Sequence, residues 1–208
     1  MATQSLEAVA RSFEVEAERL HDSFVKMRSD TGCSNCAAAA FGEAILTAWI
    51  QTAWGEFTRH LTVASTLGGQ KRDGALVAPA GTVATLQAAE EAVKEAARRV
   101  AEKQGLAFPV WHSPTFVVDI GTELGLDNLQ AIQFAMGSTP APNQITTLRN
   151  VLVQPGKRTQ DKYEELQAKL GMLNIAPEYM PRQLLNPGLP LFTWWIRELQ
   201  SAAYDSVN

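Results

Sequence analysis

The chain has 208 residues, with 18 Lys plus Arg against 22 Asp plus Glu and a formal net charge of −4. A length of this order supports one sizeable core with a radius of gyration of about 17 Å, and needs neither a disulfide nor a metal staple. With 46% hydrophobic and 19% charged residues, it is neither a disordered acidic tail nor a strongly basic nucleic-acid coat.

In chain order, Leu6, Val9, Ala10, Phe13, Ala17, Leu20, Phe24 and Met27 recur at three- and four-residue steps with charged residues between them, which predicts a long amphipathic helix. Glu7 and Arg11 in its first turns leave no apolar leader, so a cytoplasmic protein is expected. Asp30 to Gly32 should end it. The two cysteines follow as Cys33-Ser-Asn-Cys36, half a zinc site at best, and no strand precedes them as a redox motif would require, so a structural loop is expected. A second helix is expected over 36–66 with Phe41, Ile45, Trp49, Phe57, Leu61 and Ala64 inward and the alanines 37–40 in close approach to a neighbour. It should run antiparallel to the first. Its apolar run is cut by Gly42 and Glu43, short of the roughly 20 residues that cross a bilayer, so no membrane partner is expected.

Residues 67–81 are rich in helix breakers and read as a loop. Thr82 is a plausible N-cap for a third helix to about residue 104, with Val83, Leu86, Val93, Ala97 and Val100 inward and a solvated charged face outward. After a connection over 105–113, helices are expected over 114–124, 127–137, 143–154 (begun by Asn143) and 157–170. A Pro-rich irregular stretch at 171–190 then precedes a last helix over 190–205. No sustained period-two pattern occurs. The fold expected is an all-α helical bundle built on two long antiparallel N-terminal helices with shorter C-terminal ones. It forms a single domain over 1–208, with a subdivision near residue 104 as a weaker option.

Phosphate-loop, dinucleotide, nucleophile-elbow and zinc-protease motifs are all absent. The three histidines, His21, His60 and His112, are far apart in sequence and suit structural roles better than a metal site, so no metal or cofactor is expected. Glu56, Arg59 and His60 make a polar side on an apolar helix, which most simply forms a surface ion pair.

The segment 146–162 differs from the rest. Arg149, Lys157, Arg158 and Lys162 outweigh Asp161, giving a net +3 that leaves −7 for the remaining chain. Such a patch suits phosphate, particularly as Pro155-Gly156 breaks the chain and a new helix starts near Lys157; an ordinary solvated cationic surface is the competing reading. On helical spacing, Ile145, Leu148 and Leu152 form the apolar stripe, while Arg149, Asn150 and Gln154 share a polar surface.

Arg149-Asn150-Val-Leu-Val-Gln154, with the basic stretch after it, resembles the R-N-x-x-x-H signature of HEPN (higher eukaryotes and prokaryotes nucleotide-binding) domains of the bacterial defence-associated type. The two long N-terminal helices, Trp111-His112 and the closing 191–200 helix fall where that type would have them. The resemblance implies an α-helical bundle, a homodimer with motif helices meeting at a cleft, and metal-independent endoribonuclease chemistry in toxin–antitoxin or antiviral systems. In that chemistry the RNA 2′-hydroxyl attacks the adjacent phosphate and leaves a cyclic phosphate. Carried over, Arg149 would stabilise the phosphate charge, Asn150 would orient it, and Lys157, Arg158 and Lys162 would hold the RNA backbone. An antitoxin or defence-system protein would be a further partner.

Gln154 departs from that pattern. An amide cannot exchange a proton near neutral pH, and a general acid–base group contributes about 10²–10⁴-fold. Three explanations stand side by side: a degenerate domain that binds RNA or a protein, a base supplied instead by His60 or His112, and a substitution introduced to silence a toxin.

Overall fold

The computed structural model describes residues 5–30, 37–185 and 188–208. Cys33 and Cys36 lie outside the described residues. The chain is all-α. The helices are α1 (Leu6–Asp30), α2 (Ala37–Leu67), α3 (Leu86–Lys103), α4 (Pro114–Leu124), α5 (Leu129–Ser138), α6 (Ala141–Val153), α7 (Lys157–Lys169) and α8 (Leu191–Asp205). A 3-10 turn over Pro177–Arg182 and a minimal antiparallel hairpin, β1 (Leu184–Leu185) with β2 (Leu189–Pro190), occupy the Pro-rich stretch.

Two compact units interleave along the sequence: the first takes 5–15, 53–139 and 200–208, the second 16–52 and 140–199. In the first, Phe13 packs edge-on against Trp54 with ring centres 5.5 Å apart, and Phe57 closes the trio at 5.2 Å from both. In the second, Phe24 stacks on Phe192 at 4.7 Å, and a Cβ at Gly42 would lie 2.8 Å from the Met27 sulfur. Early residues of α1 therefore meet late residues of α2 and the reverse, so the two helices run antiparallel.

α2 buries one face along its whole length, and Phe41, Ile45 and Trp49 are not on it. Phe57, Leu61 and Ala64 are buried as the spacing predicts, but Phe41, Ile45 and Trp49 are 58%, 53% and 52% exposed. Ala40, Glu43, Ala44, Leu46, Thr47 and Ile50 point inward in their place. Glu43 carries the physical reason. Its fully buried carboxylate accepts two hydrogen bonds from Arg182, at 3.0 Å from Nε and 2.9 Å from Nη2, and this fixes the rotation of the N-terminal half. A buried carboxylate needs such a partner, and the partner is distant in sequence.

Two helix starts also differ from expectation. α3 begins after Thr85, whose hydroxyl accepts the Ala88 N–H at 3.2 Å, so Thr82 and Val83 lie outside the helix and Leu86 sits exposed in its first turn. α6 starts at Ala141, two residues before Asn143. Pro142 fits the first turn because the N–H it lacks would have no helical partner there.

The 67–81 loop is held by the first unit. Gly68, at φ 86, lets the chain leave α2, and the Arg72 guanidinium lies 3.8 Å from the Tyr204 ring centre and 3.5 Å from Glu7.

Candidate functional site

The corner between α6 and α7 carries every residue of the basic segment, all within the second unit. α6 is fixed by two distant polar ties. Gln51 on α2 donates from Nε2 to Thr146 Oγ1 at 2.8 Å, and Trp195 on α8 donates from Nε1 to Gln144 Oε1 at 2.8 Å. Ile145, Leu148 and Val151 are buried behind it, with Leu152 only half-buried. The 3-10 turn that Glu43 anchors through Arg182 packs on the same helix.

Arg149 and Asn150 are both half-buried, and Arg149 Nη1 donates to Asn150 Oδ1 at 3.3 Å. Among the described residues no carboxylate lies within ion-pair distance of Arg149. Gln154 falls just past the helix end. Its N–H still reaches the Asn150 carbonyl at 2.9 Å, but its backbone has swung to φ −132, ψ 67. Pro155 causes this, because its ring clashes with a helical conformation at the preceding residue. The last motif position is therefore exposed and one turn from Asn150, yet it does not continue the Arg149–Asn150 helix surface as the simple spacing predicts.

Thr159 stitches the corner together. Its hydroxyl lies 2.9 Å from the carbonyls of both Gln154 and Gly156. α7 then starts at Lys157 behind an extended Gly156, with no side chain capping its first N–H groups and no acidic residue in its first turn. Lys157, Arg158 and Lys162 are exposed and have no ion pair among the described residues; Asp161 does not bind them. The free positive end of a helix dipole and three unpaired cations thus point the same way electrostatically. α7 is anchored by Tyr163, whose hydroxyl donates to the Ile175 carbonyl at 2.9 Å. Burial pushes the Tyr163 phenol up to about 12, so it stays protonated near neutral pH and offers no base beside the cations.

The histidines are placed as follows. His21 Nε2 lies 3.2 Å from Thr193 Oγ1 in the second unit, a structural contact. His60 and His112 belong to the first unit. His60 is exposed, and Arg59 beside it makes no ion pair with Glu56, contrary to the surface pair expected there. Among the described residues no group of three or more His, Cys, Asp or Glu could hold a metal ion. No helix among them is long and apolar enough to cross a membrane.

Sequence reasoning missed Glu43 and Arg182, which position the site from behind. The one available signal was a lone carboxylate within an otherwise uncharged stretch of α2. Comparison with protein-family models, curated proteins and solved structures returned no match.

Proposed function

We propose that the chain is an HEPN-like toxin or antiviral-defence protein that engages RNA through the α6–α7 corner, with Arg149, Asn150 and Gln154 as a degenerate or silenced endoribonuclease centre. The observation that carries this reading is the set of cations without a carboxylate partner among the described residues, Lys157, Arg158 and Lys162 in the first two turns of the uncapped α7 and Arg149 in the last turns of α6, on an acidic protein. Phosphate is the group such an arrangement holds best, through charge-assisted hydrogen bonds. Arg149 retains the means to stabilise charge on a pentacoordinate phosphate. Gln154 can orient a phosphate oxygen or a 2′-hydroxyl but cannot shuttle its proton. The resemblance further implies a homodimer, a cytoplasmic setting and an antitoxin or defence-system partner.

A second reading is a catalytically silent interaction module that assembles with a nuclease, helicase or antitoxin. It is favoured by the exposed Phe41, Ile45 and Trp49, at successive turns of α2 before the charged residues Glu56 and Arg59 of the same side.

The two separate on restoring the histidine. Gln154→His incubated with total RNA should give new cleavage with cyclic phosphate ends, abolished by adding Arg149→Ala. No cleavage in either form, with RNA binding absent, would leave the interaction module as the better reading.

A further inference from the structure

The first unit holds a cavity of about 490 Å³ between the C-terminal half of α2, the N-terminal half of α3 and the 105–113 connection. Its volume lies within the range of small-molecule sites. Val63 and Ala97 form an apolar floor, and Trp111 and Pro109 form a wall. That wall is pre-set: the Trp111 carbonyl accepts the Thr58 hydroxyl at 2.6 Å, and its ring stands edge-on to Phe116 at 5.9 Å.

The charges around this cavity are unlike those on the rest of α3. Further along the helix, Glu95, Arg98, Arg99, Glu102 and Lys103 are all taken up in ion pairs with each other or with Glu123. At the cavity, Arg59, Lys94 and Glu90 make no ion pair among the described residues, and Glu91 accepts among them an amide hydrogen bond from Gln87 at 3.1 Å. Lys94 and Glu90 are four residues apart on one helix, the spacing that favours pairing, yet they stand apart.

We propose that this cavity binds a small zwitterion with an apolar body, in the class of an α-amino acid with an aromatic side chain. Two cations and two carboxylates line it, so its charge is balanced. A phosphate dianion would bring its charge against Glu90 and Glu91, whereas a ligand bearing one carboxylate and one ammonium meets each sign with its opposite. Arg59 and Lys94 receive the carboxylate, Glu90 and Glu91 the ammonium, and the side chain lies against Trp111 and the floor. The volume takes an aromatic amino acid with room for one further residue, which admits a dipeptide of the same chemistry.

Titration calorimetry of the intact protein at low salt tests this with L-phenylalanine as the probe, against 3-phenylpropionate, which lacks the ammonium, and phenethylamine, which lacks the carboxylate. Each analogue should bind about tenfold or more weakly than L-phenylalanine. Arg59→Gln should abolish the preference over phenethylamine and keep that over 3-phenylpropionate, and Glu90→Gln should do the reverse. Both side chains are exposed, so circular dichroism should show both variants folded. Binding of adenosine monophosphate tighter than L-phenylalanine would overturn the zwitterion assignment in favour of a phosphate site. No saturable heat with L-phenylalanine at about 10 mM, well above a Kd of 1 mM, would overturn the site itself.

Discussion

The Glu43–Arg182 pair supports the helix that carries Arg149, and its loss should be felt as a large drop in stability. The carboxylate is 0% and the guanidinium 9% exposed, with two hydrogen bonds of 2.9 and 3.0 Å between them. Glu43→Leu keeps side-chain volume but leaves a nearly dry guanidinium without its counter-charge. Removing one partner of such a pair costs about 3–5 kcal/mol, which for a chain of this size corresponds to a melting-temperature loss on the order of 10 °C. Replacing both partners, as Glu43→Leu with Arg182→Met, should recover most of that loss, because two apolar side chains need no counter-charge. The pH dependence has a definite sign. Burial pushes the Glu43 carboxyl above its ordinary value, against the pull of Arg182 and then Arg28. The folded chain therefore holds this proton more tightly than the unfolded chain. The carboxyl's contribution is full below the unfolded value of 4.5 and falls as pH rises through the raised folded value, so the gap between wild type and Glu43→Leu should narrow toward neutral pH. Urea unfolding of the wild type, both single variants and the double variant at acidic and neutral pH measures all of this. A Glu43→Leu loss below about 1 kcal/mol, or a double variant no more stable than the singles, would refute the anchoring role.

Other consequences follow from the same geometry. Trp54→Ala should cost about 3–5 kcal/mol, because its ring is buried against Phe13 and Phe57, while Trp49→Ala on the exposed side should cost under about 1 kcal/mol; equal losses in chemical unfolding would mean the α2 rotation is wrong. Gly68→Ala should destabilise by more than about 1 kcal/mol, since φ is 86 and the new Cβ would meet the Val77 carbonyl oxygen at 2.9 Å. Lys103 first, then Arg99, holds the Glu123 carboxyl below its ordinary value, so its stabilising part is present above 4.5 and lost as pH falls through the lowered folded value. Glu123→Gln should accordingly soften the acid limb of a pH–stability curve; an unchanged limb would show that solvent screens the pair completely.

The helix content was largely legible because local signals agree with each other. α4 is the clearest case. Ser113 caps it, Pro114 opens it and Gly125, at φ 64, closes it, and these residues set both bounds from sequence alone. The N-terminal half of α2 failed for the opposite reason. Nearly every position from Ala37 to Gly55 is uncharged, so this half carries no polar face of its own, and the single carboxylate, normally a marker of the outside, is the residue drawn inward; the outer side is marked only further on, by Glu56, Arg59 and His60. Its partner is 139 residues away, beyond any pattern of spacing. At the candidate site the helix break at Pro155 and the clustered charges could be read directly. The ties that hold α6, from Gln51 and Trp195, span 95 and 51 residues and could not. The unpaired state of the cations was equally hidden, because Asp161 stands one helical turn from Lys157 and next to Lys162 without binding either.

The salt dependence of single-stranded RNA binding bears most directly on whether the α6–α7 corner is a phosphate site. If Arg149, Lys157, Arg158 and Lys162 all neutralise phosphates, the slope of log affinity against log salt should be about −3, at roughly −0.7 per contact. Each of Lys157→Ala, Arg158→Ala and Lys162→Ala should then reduce the magnitude of that slope by about 0.7. Fluorescence anisotropy on a labelled oligoribonucleotide between low and moderate salt reads this directly. An affinity indifferent to salt, or a slope unchanged when the three α7 cations are removed, would contradict RNA engagement at this corner.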